Sequence, residues 1–480
     1  MSSRVRACFP VITAVIVAVF SLPARMAFST FLAGDAGATL AATIMARLGQ
    51  RPNLDFGYPF GPLSLALQEL SLRLIPNGPW AMTALTLLAT LLFGFGAAWA
   101  IRRMRLNAPA VALLCAATAV TGMTSQWPPV YTLEAAALLW ALVSFAAEEP
   151  ARALAFAVVA ALLKPTMGVV MGALFLVYVL WTEPDRARRI LRAPALTAVI
   201  LSAALMLRYG WGGFWRMALP LAGARNYKMS GFTFFSRAGN PFFLPNVHIG
   251  YYLGTPIGPW GVSLIALLAG VLAGAVIGFR KHSARWFCAL CCLLGTAAFI
   301  TGFYSWKGSY VYYTTLPLIG LALAGKFLPR ATAFQFALAV LALLGTFTGF
   351  RLNARAWRGP HPDATTAGLW ATPAERTEWV NFTTANPPAA QPLFIIASGS
   401  PESLFPAYGA PWHAFLYAGE ARPPELASLR ARALVAKNLA HCAALAAIPT
   451  LPQAELAPAL ALRPIRNGLL FDTYGCDTLH

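Results

Sequence analysis

Charge is what this chain has least of. Only 11% of its 480 residues are Asp, Glu, Lys or Arg, against about 25% in soluble domains. With 58% hydrophobic residues, that shortage excludes a water-soluble globular protein, because the apolar surface outweighs anything available to cover it. Acids are scarcer than bases, 17 against 36, giving a net charge of +19. The excess does not point to nucleic acid. The basic residues sit in short clusters between apolar runs, as the positive-inside rule demands. Cysteine is also sparse. Cys8, Cys115, Cys288, Cys291 and Cys292 lie within apolar runs and read as small hydrophobes. Cys288-x-x-Cys291-Cys292 lacks the polar setting and second half of a zinc site, so no metal is assigned there. Cys442 and Cys476 lie near the C-terminus, where pairing is left open.

Apolar runs recur from residue 8 to residue 350 and then stop. Each is about long enough to cross roughly 30 Å of hydrocarbon as a helix. Inside lipid every backbone polar group must be satisfied within the segment, so the runs must be helical. The sequence therefore predicts an all-α polytopic membrane domain, 1–350, with about eleven spans, and a small C-terminal α/β domain, 351–480. Arg4 and Arg6 place the N-terminus in the cytoplasm. The early spans are 8–24, 79–101, 108–123 and 131–147, with an outer stretch at 25–78. Both ends of 151–181 carry arginines, which requires a hairpin with Lys164-Pro165 at its tip. Proline disfavours a helical residue before it. The ascending limb is about 14 residues, or roughly 21 Å, so Lys164 is expected below the outer surface in a protein-lined cavity. A span at 193–209 leads to an outer loop, 210–258, and later spans follow at 259–279, 286–303, 309–325 and 331–350. An odd count puts 351–480 outside the cytoplasm. There Phe394-Ile395-Ile396 reads as a strand and 425–445 as a helix.

With so few acids, their positions are informative. Asp35 follows the first span and precedes a helix-periodic segment, 37–49. Asp55 lies in Asp55-Phe56-Gly57-Tyr58-Pro59-Phe60-Gly61-Pro62-Leu63. Glu134 sits at the outer end of the fourth apolar run, where a carboxylate is costly unless it faces a polar cavity. Transfer of a sugar needs a base for the acceptor hydroxyl and positive charge or a metal for a phosphate leaving group. Asp35 suits the first role, and Lys164 and Lys307 the second. The 210–258 loop adds Arg216, Arg225, Lys228 and Arg237 among many aromatics and has no acid, a setting for a lipid-linked anion. Each residue also has a plainer reading. Asp35 suits a helix cap, Glu134 a partner for a buried arginine such as Arg25, Lys164 a snorkelling side chain, and the aromatics an interfacial belt.

The ordered set resembles the GT-C superfamily of membrane glycosyltransferases that use polyprenyl-phosphate sugars. Gly34-Asp35, the helix at 37–49 and the Pro62-Leu63 element resemble its first outer loop. Tyr131-Thr132-Leu133-Glu134, Leu162-Leu163-Lys164-Pro165 and the set Lys307, Tyr310, Tyr312, Tyr313 and Pro317 resemble its later motifs. Asp35 is followed by Ala36 where many members have Glu. The resemblance implies an inverting transfer from a polyprenyl-phosphate-linked donor to a lipid, glycan or protein acceptor, at the periplasmic face of a bacterial inner membrane. Asp35, Asp55 and Glu134 would then be the catalytic acids. Lys164, Lys307, Tyr310, Tyr313, Arg225, Lys228 and Arg237 would hold the donor, and a divalent cation is an open requirement. Membrane lipids are expected partners. The rival readings are a transporter or flippase of a lipid-linked saccharide, and a catalytically silent scaffold.

Overall fold

The computed structural model describes residues 3–27, 35–53, 58, 60–123, 128–219, 284–285, 287–292, 315–324, 353–358, 369–385, 394–395, 444–447, 462–466 and 471–476. The described helices are α1 (Ser3–Met26), α2 (Asp35–Arg47), α3 (Pro62–Leu74), α4 (Gly78–Met104), α5 (Ala108–Gly122), α6 (Pro129–Ala146), α7 (Pro150–Leu163), α8 (Pro165–Thr182), α9 (Pro184–Ala218), α10 (Leu316–Ala324) and α11 (Pro373–Ala385). Four of them, in α1, α4, α6 and α9, are long and apolar enough to cross a membrane. The chain is a multi-pass membrane protein.

Helices α3 to α9 each open with proline in the first turn. Its fixed φ suits that position, and its ring would clash further in. Asn77 and Asn107 add side-chain caps, accepting from Trp80 N and Ala110 N at 3.1 Å each. Against the core of α4 pack α1, α5 and α6.

The segment at 151–181 is a hairpin, as its flanking arginines require. Its limbs α7 and α8 meet at Lys164 and run antiparallel, with Gly168 against Ala161 and Gly172 facing the Ala157 Cβ at 3.6 Å. The ascending limb has 14 residues.

The two ends of the bundle are marked by different bonds. At one end Arg6 donates to Leu106 O (3.5 Å), and Arg103 pairs with Glu149 at 3.5 Å. At the other, Arg25 donates to Gly122 O (2.8 Å) and Asn353 to Met123 O (3.4 Å). Trp357 donates to Phe20 O (2.8 Å), and Trp370 N bonds Met26 O at 2.7 Å. The chain beyond residue 353 thus begins at the end of the bundle where α1 finishes.

Three expectations need correction. The outer stretch contains a second helix, α3, beside α2. The helix read at 193–209 does not stop there: α9 runs through a break at Gly210 (φ 71°, ψ 163°) to Ala218, so the first residues of the loop placed at 210–258 are helical. A conformation like that of Gly210 is open only to glycine. Ala444 and Leu445, read as the end of a helix, instead open strand β2 (Ala444–Ala447). With β1 (Phe394–Ile395), β3 (Leu462–Arg466) and β4 (Phe471–Cys476), β2 forms a four-stranded sheet in the order β1-β2-β4-β3. The first pair is parallel and the others antiparallel. Ahead of the sheet, α11 is closed by a reciprocal cap: Glu375 N donates to Thr372 Oγ1 (3.1 Å) and Thr372 N to Glu375 Oε2 (2.7 Å). Cys442 lies outside the described residues.

Candidate functional site

Pro165 drives the geometry of the site. The residue before a proline is pushed out of the helical region, and Lys164 is extended, at φ −153° and ψ 109°. The kink between α7 and α8 carries its ammonium out of both helices to a point 4.3 Å above the Tyr131 ring. That is a cation–π distance. Tyr131 and Glu134, one turn apart, share a face of α6. Glu134 is wholly buried. Its carboxylate accepts from the Met167 backbone N–H and feels the Lys164 charge. A carboxyl group and an ammonium, far apart in sequence, thus come within electrostatic reach at the end of the bundle where α1 finishes.

The outer stretch closes over this pair. Phe60 stacks edge-on to Tyr131, with centroids 5.6 Å apart, and Tyr58 edge-on to Phe60 at 5.5 Å. Gly61 N donates to Leu163 O at 2.9 Å, and a Cβ on Gly61 would overlap the Leu162 carbonyl. Only a bare backbone fits between α3 and the Lys164 joint. Gly61→Ala should cost about 1–3 kcal/mol of overpacking, read as a lower thermal unfolding midpoint in detergent; an unchanged midpoint would show that the joint yields freely.

Asn53 adopts a left-handed φ of 56°, tolerated by asparagine. Its amide closes the loop on both sides: Tyr58 N donates to Oδ1 (2.7 Å) and Nδ2 donates to Tyr58 O (3.0 Å). The Tyr58 hydroxyl meets Ser64 Oγ at 2.9 Å and receives Gln68 Nε2 at 3.2 Å, while Thr43 Oγ1 donates to Gln68 Oε1 at 3.0 Å. Burial pushes the Tyr58 phenol well above its ordinary value, against the lowering effect of those hydrogen bonds, and the Glu69 charge adds to the rise. Tyr58 therefore stays neutral and serves as a fixed hydrogen-bonding post.

Of the residues read from sequence, Glu134 and Lys164 come within electrostatic reach of each other, and Lys164 lies over the Tyr131 ring. Asp35 is the first residue of α2. Asp55, Arg225, Lys228, Arg237, Lys307, Tyr310 and Tyr313 lie outside the described residues. Among the described residues no cluster of His, Cys, Asp or Glu could hold a metal. Arg25 donates to Ser21 Oγ (3.2 Å) and to the Gly122 carbonyl (2.8 Å), and Glu134 feels the Lys164 charge.

Sequence reasoning missed the acid of α3. Glu69 is 3% exposed and takes Arg208 Nε at 3.1 Å and Tyr209 OH at 2.8 Å. The signal was there: Ser64, Gln68, Glu69 and Ser71 share one face of α3, while Leu70 and Leu74 lie on the other.

Comparison with solved structures gives the architecture a precedent. The chain superposes on ArnT from Cupriavidus metallidurans bound to undecaprenyl phosphate, with a TM-score of 0.54 over 97% of each chain at 15% identity. The chain shares the fold of that solved structure. The apo state of the same neighbour gives a TM-score of 0.48 over 97% of this chain and 98% of that one, also at 15% identity. No protein-family model and no curated protein matches the sequence. Within this fold, the bundle end that carries Lys164 and Glu134 is also where the outer stretch and the chain beyond residue 353 gather.

Proposed function

We propose that the protein is an inverting glycosyltransferase. It takes a sugar from a polyprenyl-phosphate donor at the periplasmic face of a bacterial inner membrane and passes it to a lipid, glycan or protein acceptor. The observation that carries this reading is the Lys164 ammonium held over Tyr131 beside buried Glu134, under the bare-backbone contact of Gly61. A half-buried lysine fixed at the mouth of a membrane bundle suits an anionic headgroup whose tail stays in lipid. The ArnT neighbour, with the same fold, holds undecaprenyl phosphate.

In this reaction the acceptor oxygen bonds the anomeric carbon as the bond to the phosphate oxygen breaks. The electron pair leaves with the lipid phosphate, where fixed positive charge stabilises it. The acceptor proton goes to Asp35, with Asp55 as the alternative base. Lys164 and Lys307 meet the phosphate, and Arg225, Lys228, Arg237, Tyr310 and Tyr313 complete the donor site. Glu134 helps orient Lys164 until the donor arrives. Titration of the purified protein in nanodiscs with undecaprenyl phosphate tests the reading directly: saturable binding is expected, and its absence would defeat it.

Residues 1–350 are read as the transmembrane domain and 351–480 as a periplasmic domain. The bonds from Trp357 to Phe20 and from Trp370 to Met26 support that side, because α1 starts at cytoplasmic arginines and ends there. A periplasm-dependent reporter fused after His480 should be active. A silent periplasmic reporter with an active cytoplasmic one would reverse the assignment.

A further inference from the structure

Glu69 lies seven residues into α3 from Pro62, about 10 Å along the axis. Both its carboxylate oxygens are occupied from α9: Arg208 Nε and Nη2 reach Oε2, and the Tyr209 hydroxyl reaches Oε1. The Glu69 side chain is 4% exposed, whereas Arg208 is 40% exposed. The same guanidinium donates to Ala46 O at 3.2 Å, so one arginine ties α2, α3 and α9 together. Two residues on, Gly210 breaks α9. Beyond the break Arg216 Nη1 donates to Asn53 O at 3.2 Å, and Asn53 Nδ2 returns a bond to Arg216 O at 3.4 Å. At its other end α3 begins at Gly61, bonded to Leu163 O at 2.9 Å. The helix is therefore a strut with the Lys164 joint at one end and this buried cluster in its middle.

We propose that Glu69, Arg208 and Tyr209 are positioning residues: they fix α3 on α9, and through Gly61 the strut fixes where the Lys164 ammonium stands. The proposal rests on the reading of Lys164 as the ligand of the donor phosphate. A carboxylate stripped of water and left without its arginine would be strongly unfavourable, so the cluster has one arrangement rather than a range.

The test uses the full chain in nanodiscs and two measurements. The first is titration with undecaprenyl phosphate. Glu69→Gln, Arg208→Met and the milder Tyr209→Phe are each expected to weaken binding, the first two by about tenfold, since small misplacements of a fixed group are costly. The double variant Glu69→Gln/Arg208→Met should lose no more than the worse single one, because both act through one contact, while Arg208→Lys should recover part of the loss. Trp140→Phe removes a hydrogen bond to Leu92 O in the middle of α4 and serves as the stability control. The second measurement is the distance distribution between nitroxide labels at Leu74, 74% exposed, and Trp181, 81% exposed. It should shift or broaden in the Glu69 and Arg208 variants. Unchanged affinity in those variants overturns the proposal, as does an equal loss in Trp140→Phe. If the wild type binds no undecaprenyl phosphate, the donor reading fails by itself. The label distances then decide the strut, and an unaltered distribution removes it.

Discussion

Asp35→Asn should lose about 10²–10⁴-fold in turnover, the range of a general base, while undecaprenyl phosphate binds as before. The change keeps size and shape and removes the negative charge, and with it the ability to take a proton at neutral pH. The donor's affinity comes from positive charge and lipid contact, neither of which Asn disturbs. Asp35 also opens α2, where the lost negative charge costs about 0.3–1 kcal/mol against the helix dipole, too little to unfold the protein. The measurement is a single-turnover assay with a panel of polyprenyl-phosphate sugars, run beside the binding titration. Near-normal transfer would move the base to Asp55. Normal movement of a lipid-linked saccharide across vesicles, with no transfer by the wild type, would favour a flippase.

The second large effect belongs to Lys164. Lys164→Ala removes the cation above Tyr131 and leaves buried Glu134 without it, so both donor affinity and turnover should fall. Losing one preorganised charge at a leaving group costs on the order of 10²–10³ in rate. Lys164→Arg keeps the charge but has a broader, planar head, and should restore binding more than turnover. If Lys164→Ala binds undecaprenyl phosphate with unchanged affinity, the phosphate site is elsewhere. Lys307 would be the next residue to change. A structure with Asp35 more than about 20 Å from Lys164, two helix diameters, would also separate the proposed base from the phosphate site.

Parts of this arrangement were legible in the sequence for definite reasons. The hairpin at Lys164-Pro165 showed because arginines flank both its ends and proline forbids one continuous helix. Glu134 showed because a carboxylate in an apolar run needs a polar neighbour. Glu69 did not show, because α3 turns the usual rule inside out. Its Ser, Gln and Glu face the protein beside Leu65 and Leu72, while Leu70 and Leu74 face outward, so the segment looked like part of a polar loop. The break at Gly210 was hidden by the aromatic residues after it, which read as an interfacial belt. The alanine-rich run ending in Ala444 and Leu445 has strong helix propensity, and pairing with β4 overrides it.

The prolines that open α3 to α9 carry one more consequence. A proline supplies no N–H, so each of these helices begins with one fewer backbone donor to be satisfied near the lipid boundary. It also disfavours helix at the residue before it, which keeps the helix from growing backward into the preceding loop. Insertions or deletions in the connecting loops should then be absorbed outside the helices. Tyr131 and Glu134 stay a fixed number of turns from Pro129, and Met167 from Pro165, so the loops can diverge in length without moving the groups that face Lys164.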